Sequence, residues 1–302
     1  MSTLLLLLLL AYSELANSSQ LVHRSEFQHK NIFILAGQSN MAGRGGVIGD
    51  KWDGIVPPEC QLNPSILRLN ARLGWEQARE PIHADIDVNK TCGIGPGMAF
   101  ANAIQEMDTN IGVVGLVPCA IGGTNISEWS RGMSLYNELV KRATVALESG
   151  GTIRAILWYQ GESDTVSRVD AESYKVKLET FFLDLRSDLQ SPRLPIIQVA
   201  LASGQGPFVE TVREAQLGLH LPNVLCVDAK GSQLEPDGLH LTTLAQVRLG
   251  QILAQEFIET LQNPMAIVQN ASPASRSLGL MYLYLGSIWR CFVTYNIVVL
   301  II

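Results

Sequence analysis

Short continuous apolar runs alternate with longer stretches of helical period along the middle of the chain. Asn31–Ala36, Ile111–Val117, Ile153–Tyr159, Pro195–Leu201 and Val224–Asp228 each read as a strand buried on both faces, because no polar residue alternates regularly through them. Between them, Met98–Met107, Leu135–Glu148, Ala171–Leu189 and Phe208–Leu219 repeat their apolar residues at three- and four-residue spacing. A last helix is predicted over Thr242–Leu261. This alternation predicts an α/β fold, a parallel sheet of five strands covered by helices on both faces. The segment Gly45–Gly95 breaks the pattern. It carries Pro57-Pro58 and two tryptophans without a clean period, and reads as a lid or rim beside the first strand.

Composition narrows the picture. The chain has 302 residues, 47% of them hydrophobic, enough for a full core. A net charge of −6 and the absence of basic runs exclude nucleic acid as an expected partner. Leu4–Leu10 is an uninterrupted leucine run, suited to the apolar part of a secretory signal and too short to span a bilayer. From Ser277 to Ile302 the chain is again mostly apolar, interrupted by Arg290 and Asn296. That tail fits a membrane span, a lipid-anchor signal or an alternatively spliced end, and membrane association is expected only through it. The expected organisation is therefore a leader over 1–27, a domain over 28–262, and a spacer with an apolar tail over 263–302. The expected location is the secretory pathway or the cell exterior, with a membrane-anchored or a cytoplasmic protein as alternatives.

Five cysteines (Cys60, Cys92, Cys119, Cys226, Cys291) show no metal-ligand spacing. No cofactor is expected. Cys60–Cys92 is the first candidate for a disulfide in a secreted chain, against buried free thiols. Acceptor sequons stand at Asn17, Asn89, Asn125 and Asn270.

In an open parallel sheet, ligands bind beyond the carboxyl ends of the strands. The residues there are Gly37-Gln38-Ser39-Asn40 after the first run, and Cys119-Ala120-Ile121-Gly122-Gly123-Thr124 after the second. Gln160-Gly161-Glu162-Ser163-Asp164 follows the third, and Pro236-Asp237-Gly238-Leu239-His240 the fifth. A serine hydroxyl needs a base within hydrogen-bond reach, and the base needs a group to hold its tautomer. Ser39, His240 and Asp237 offer that set, with Asp237 and His240 a local pair. Donors for a developing oxyanion are the Ser39 N–H, an N–H at Gly122 or Gly123, and the Gln160 amide. Each residue also has an ordinary reading: Ser39 and Asp237 as helix caps, His240 on the surface, Gly122-Gly123 as a turn.

Taken together, the Gly37-Gln38-Ser39-Asn40-Met41, Gly122-Gly123-Thr124, Trp158-Tyr159-Gln160-Gly161-Glu162-Ser163 and Asp237-Gly238-Leu239-His240 blocks resemble the SGNH hydrolases. Among these they are most similar to the sialate O-acetylesterase-like carbohydrate esterases of family six, plant members included. The resemblance spans about residues 28–262. It implies a flavodoxin-like three-layer αβα sandwich of sheet order 2-1-3-4-5. It implies metal-independent removal of O-acetyl groups from carbohydrate through an acyl-serine, with Ser39 as nucleophile, His240 as base and Asp237 as acid. Asn40 and Glu162 are implied as support, and Glu162 is a rival to Asp237 for the acid. A general short-chain esterase or lipase and a non-catalytic glycan-binding protein are the alternatives. Arg44, Trp52, Asp53, Trp129 and Arg131 make the expected rim too polar for a lipase; the two tryptophans would suit sugar stacking, though such residues more often belong to a core or a lid.

Overall fold

The computed structural model describes residues 29–262. The expected leader and tail, the sequons at Asn17 and Asn270, and Cys291 lie outside the described residues.

Strand β1 (Lys30–Gly37) is buried at every position, as its unbroken apolar run predicts. It runs at the centre of the sheet, parallel to β6 (Val113–Pro118) on one side and β7 (Gly151–Tyr159) on the other. Beyond β7 follow β8 (Ile196–Ala200) and β9 (Val224–Asp228), also parallel. The five predicted strands thus stand in the expected order 2-1-3-4-5. The sheet itself has seven strands. β4 (Ile66–Leu69) adds in parallel to β6, and β5 (Trp75–Gln77) closes that edge antiparallel to β4.

Both extra strands come from the aperiodic segment, so the expectation of five is corrected, and so is the reading of that segment as only a lid or rim. Four- and three-residue strands are too short to show a period. Arg68, in the middle of β4, also breaks the apolar run. Its guanidinium is nonetheless buried, because it meets Glu76 directly across the ladder and donates to the Ile82 carbonyl (2.8 Å) and to Asp85 (2.6 Å). Ahead of these lies a small hairpin of β2 (Val47–Ile48) and β3 (Lys51–Trp52).

Successive residues of a strand face opposite sides of the sheet, so Phe33 and Ala36 of β1 look into different cores. On the Phe33 side, α2 (Pro96–Met107) and α6 (Thr243–Gln262) pack on each other. Phe33, Phe100 and Phe257 meet edge to face there, with centroids 4.9 Å apart for both Phe33 pairs. On the other side, Ala36 pairs with Trp158, which packs against Trp129 and Phe181 under α3 (Ser134–Glu148) and α4 (Arg168–Asp188). Aromatic contacts of this kind add about 0.5–1.5 kcal/mol each beyond area burial. The short α5 (Val209–Leu217) extends this second layer beside β8. Helix starts follow from local chemistry: Pro96 opens α2 where its missing N–H costs nothing, and the Ser167 hydroxyl caps α4.

Candidate active site

Ser39 opens α1 (Ser39–Ala42), a single turn directly behind β1. Gly37 makes this sharp exit: its φ is +133°, and a Cβ there would lie 2.0 Å from the Tyr159 carbonyl oxygen. The residue in the cap position is Gln38, and no side chain caps the turn, so the capping explanation for Ser39 fails. The Ser39 Oγ instead lies 2.9 Å from His240 Nε2, and His240 Nδ1 lies 2.6 Å from Asp237 Oδ2. Asp237 does not cap α6. Its other oxygen accepts from the backbone N–H of Leu239 and of His240 (2.8 and 3.0 Å), closing the turn that holds both side chains. Burial works against its charge, but those amides and the imidazole outweigh it and hold the carboxyl below its ordinary range.

Glu162, the rival acid, makes no hydrogen bond to His240. It is fully buried and accepts from Asn40 Nδ2 at 2.8 Å. Burial raises its pKa to about 7, against the opposing pull of Asn40. Asn40 also accepts from the Leu241 N–H (2.9 Å), while Gln246 of α6 donates to the Asn40 carbonyl (3.0 Å). The residue after Ser39 therefore ties down the loop that carries His240.

Two expected oxyanion donors are corrected. The Gln160 side chain is fully buried, and its amide donates to Asp164 Oδ2 (2.6 Å) and the Thr124 carbonyl (2.9 Å). It staples the second loop to the third and is absent from the cleft wall. Asp164 also accepts from the Ile126 N–H, and burial lifts its pKa to about 6. The Gly122 N–H is occupied as well, donating to Asp87 Oδ2 at 3.1 Å. The Gly123 N–H has no acceptor among the described residues, and Gly123 lines the cleft.

The cleft over Ser39 has a volume of about 310 Å³ and is walled by Arg44, Asp50, Lys90, Thr91, Gln205 and Leu239, among others. Of the expected rim residues only Arg44 belongs to it. Trp129 is fully buried with its N–H on the Thr124 hydroxyl, and Trp52 packs against the core. Asp53 binds the Ile55 N–H, and Arg131 pairs with Asp184 and Asp188 at the surface. Cys60 and Cys92 are buried free thiols, which corrects the disulfide candidate.

Sequence reasoning missed Asp87, which pairs with the Arg44 guanidinium beside Ser39. It also missed Arg142, whose buried guanidinium takes the carbonyls of Pro118 and Leu69 at the ends of β6 and β4. A lone charged residue in an aperiodic turn or on a helix carries no local signal of either role.

A family model described as carbohydrate esterase, sialic acid-specific acetylesterase, matches residues 29–259. The chain belongs to this family. It is 57% identical over 242 residues to a "probable carbohydrate esterase" of Arabidopsis thaliana, covering 78% of this chain and 93% of that one. A solved Arabidopsis thaliana structure of the same identity matches with a TM-score of 0.75, covering 77% of this chain and 99% of that chain. The solved structure of NanS shares the fold with a TM-score of 0.63 at 15% identity, covering 78% and 98% of the two chains. By family the protein is an acetyl ester hydrolase, and the family implies a carbohydrate substrate.

Proposed function

We propose that the protein removes O-acetyl groups from carbohydrate through an acetyl-Ser39 intermediate. The observation that carries this reading is the hydrogen-bonded line from Ser39 Oγ through His240 to Asp237. With its proton on Nδ1, held by Asp237, His240 presents a free Nε2 lone pair to the serine hydroxyl. As Ser39 Oγ bonds to the acetyl carbon, its proton passes to Nε2. Collapse of the tetrahedral adduct breaks the ester C–O bond, and the sugar oxygen leaves with that proton. Water then attacks the acetyl carbon as His240 again takes its proton; collapse breaks the bond from that carbon to Ser39 Oγ, which recovers the proton from Nε2, and acetic acid leaves. The Ser39 and Gly123 N–H groups are the proposed oxyanion donors, the first being an orphan amide at the start of α1.

Support for a small acyl group comes from the cleft wall, where Val47 and Leu239 are the two aliphatic side chains and stand among polar ones. The leucine run supports action in the secretory pathway or outside the cell, which the N-terminal residue of the protein from its native source would test.

The test is hydrolysis of a chromogenic acetyl ester and acetate release from acetylated polysaccharides by the full chain and by Ser39→Ala. Ser39→Ala is expected to abolish turnover with unchanged folding. Undiminished turnover would refute the mechanism, and a preference for long-chain acyl esters would refute the substrate class.

A further inference from the structure

Gly122 stands at the meeting point of two loops and an ion pair. A Cβ built on it would lie 2.6 Å from Arg44 Nη2, 3.0 Å from Asp87 Oδ2 and 3.4 Å from the Ser39 Cβ. The absence of that carbon is what lets the ion pair sit against the nucleophile. Both charged side chains are almost fully buried, at 6% and 2% exposure. The guanidinium is further fixed by the Gly43 carbonyl (2.8 Å) and the Cys92 sulfur. The carboxylate receives the Gly122 N–H.

This arrangement poses an electrostatic problem. A carboxylate beside a forming oxyanion opposes it, and the opposition is strong where water is excluded. The same carboxylate uses up an amide that the oxyanion would want. A neutralising cation in contact with the carboxylate answers the first difficulty. The second is answered if the fixed Gly122 peptide serves to hold the next amide, that of Gly123, toward the cleft.

We propose that Arg44 and Asp87 position and electrostatically balance the oxyanion hole: Asp87 anchors the Gly122 amide so that Gly123 and Ser39 donate to the oxyanion, and Arg44 cancels the anchoring charge. The pair acts through the loop and through its field, so both are positioning residues. The inference rests on the acetyl-Ser39 reading above.

Because either substitution breaks the same ion pair, stability alone does not separate this role from a structural one. Charge does. Arg44→Gln leaves an uncompensated carboxylate near the oxyanion, whereas Asp87→Asn keeps an acceptor for the Gly122 N–H and leaves a cation. In the full chain, Arg44→Gln is expected to lower kcat on an acetyl ester by about 100-fold or more with little change in KM, a loss comparable to removing an oxyanion donor. Asp87→Asn should stay within about tenfold of the parent, since the field it leaves favours the oxyanion. Arg44→Lys should recover part of the loss. Phenylboronic acid, whose serine adduct is a tetrahedral anion, should bind Arg44→Gln more weakly than Asp87→Asn, a readout independent of turnover. Equal losses of kcat in Arg44→Gln and Asp87→Asn that follow their losses in Tm, with Ser39→Ala inactive, would overturn the pair's electrostatic role and leave the acyl-serine reading standing. Turnover by Ser39→Ala would overturn both.

Discussion

Replacing Glu162 by Gln should change how stability depends on pH. The folded protein holds this carboxyl at about 7, against an ordinary value of 4.5, because burial disfavours its charge. A carboxyl raised on folding binds its proton more tightly in the native state, so it contributes most stability below 4.5 and loses that contribution as pH rises to about 7. The gap corresponds to on the order of 3 kcal/mol. Gln keeps the oxygen that accepts from Asn40 and puts an amide where Glu162 Oε2 has no partner, so the packing is nearly conserved.

Other buried groups titrate too. Burial raises Glu80 to about 8 and Asp164 to about 6, with the same sign as Glu162. It lowers His83 to about 3, with the opposite effect: its neutral form gains stability as pH rises toward 6.5. Subtracting the parent curve from that of Glu162→Gln cancels these contributions. Urea unfolding at fixed intervals from pH 4.5 to 8, with the m-value checked for constancy, gives the difference directly. The variant should gain on the parent by that amount up to about pH 7 and then run parallel. Curves parallel throughout the range would refute the assignment of Glu162 as a buried, proton-retaining carboxyl.

Other expectations concern the site and the thiols. Asp237→Asn should lower kcat by about 10²–10³-fold, less than a fully buried acid would, since the Asp237 side chain is 47% exposed and water can share its work. Glu162→Gln, assayed near pH 6, should lose far less, and a reversal of that order in steady-state kinetics would restore Glu162 as the acid. Gly122→Ala drives a carbon to within 2.6 Å of Arg44 and should cost at least about 100-fold in kcat while circular dichroism stays native. Cys60 and Cys92 should be alkylated in denaturant without reductant and resist alkylation in the native protein, as peptide mapping would show. Burial pushes both thiols up, Cys92 to about 11.

Much of the architecture was legible because it rests on long-range burial written into contiguous residues. β1 and β6 are buried on both faces and read as uninterrupted apolar runs, and the helices between strands carry their period openly. β4 and β5 were not legible, since an edge strand stabilised by Arg68 and Glu76 looks polar until its partner is known. The same contrast holds at the site. Ser39 and His240 follow apolar runs at the sheet edge, and Asp237 is tied to His240 by three-residue spacing. Gln160 was misjudged because an amide donor looks alike whether it faces a cleft or staples two loops. Asp87 was invisible because its meaning depends on a Gly122 amide far along the chain.

Asn40 has a consequence for how activity is gained and lost. Through its side chain and carbonyl it binds the His240 loop and Gln246 of α6, some two hundred residues away. Ser39 and His240 are thus registered by one residue that is adjacent to the first and bonded to both chain neighbours of the second. A chain whose sheet has formed but whose α6 has not docked carries Ser39 without an aligned His240. Catalytic turnover therefore reports on the docking of α6. During refolding it should appear with the seating of α6, later than the bulk of the secondary structure.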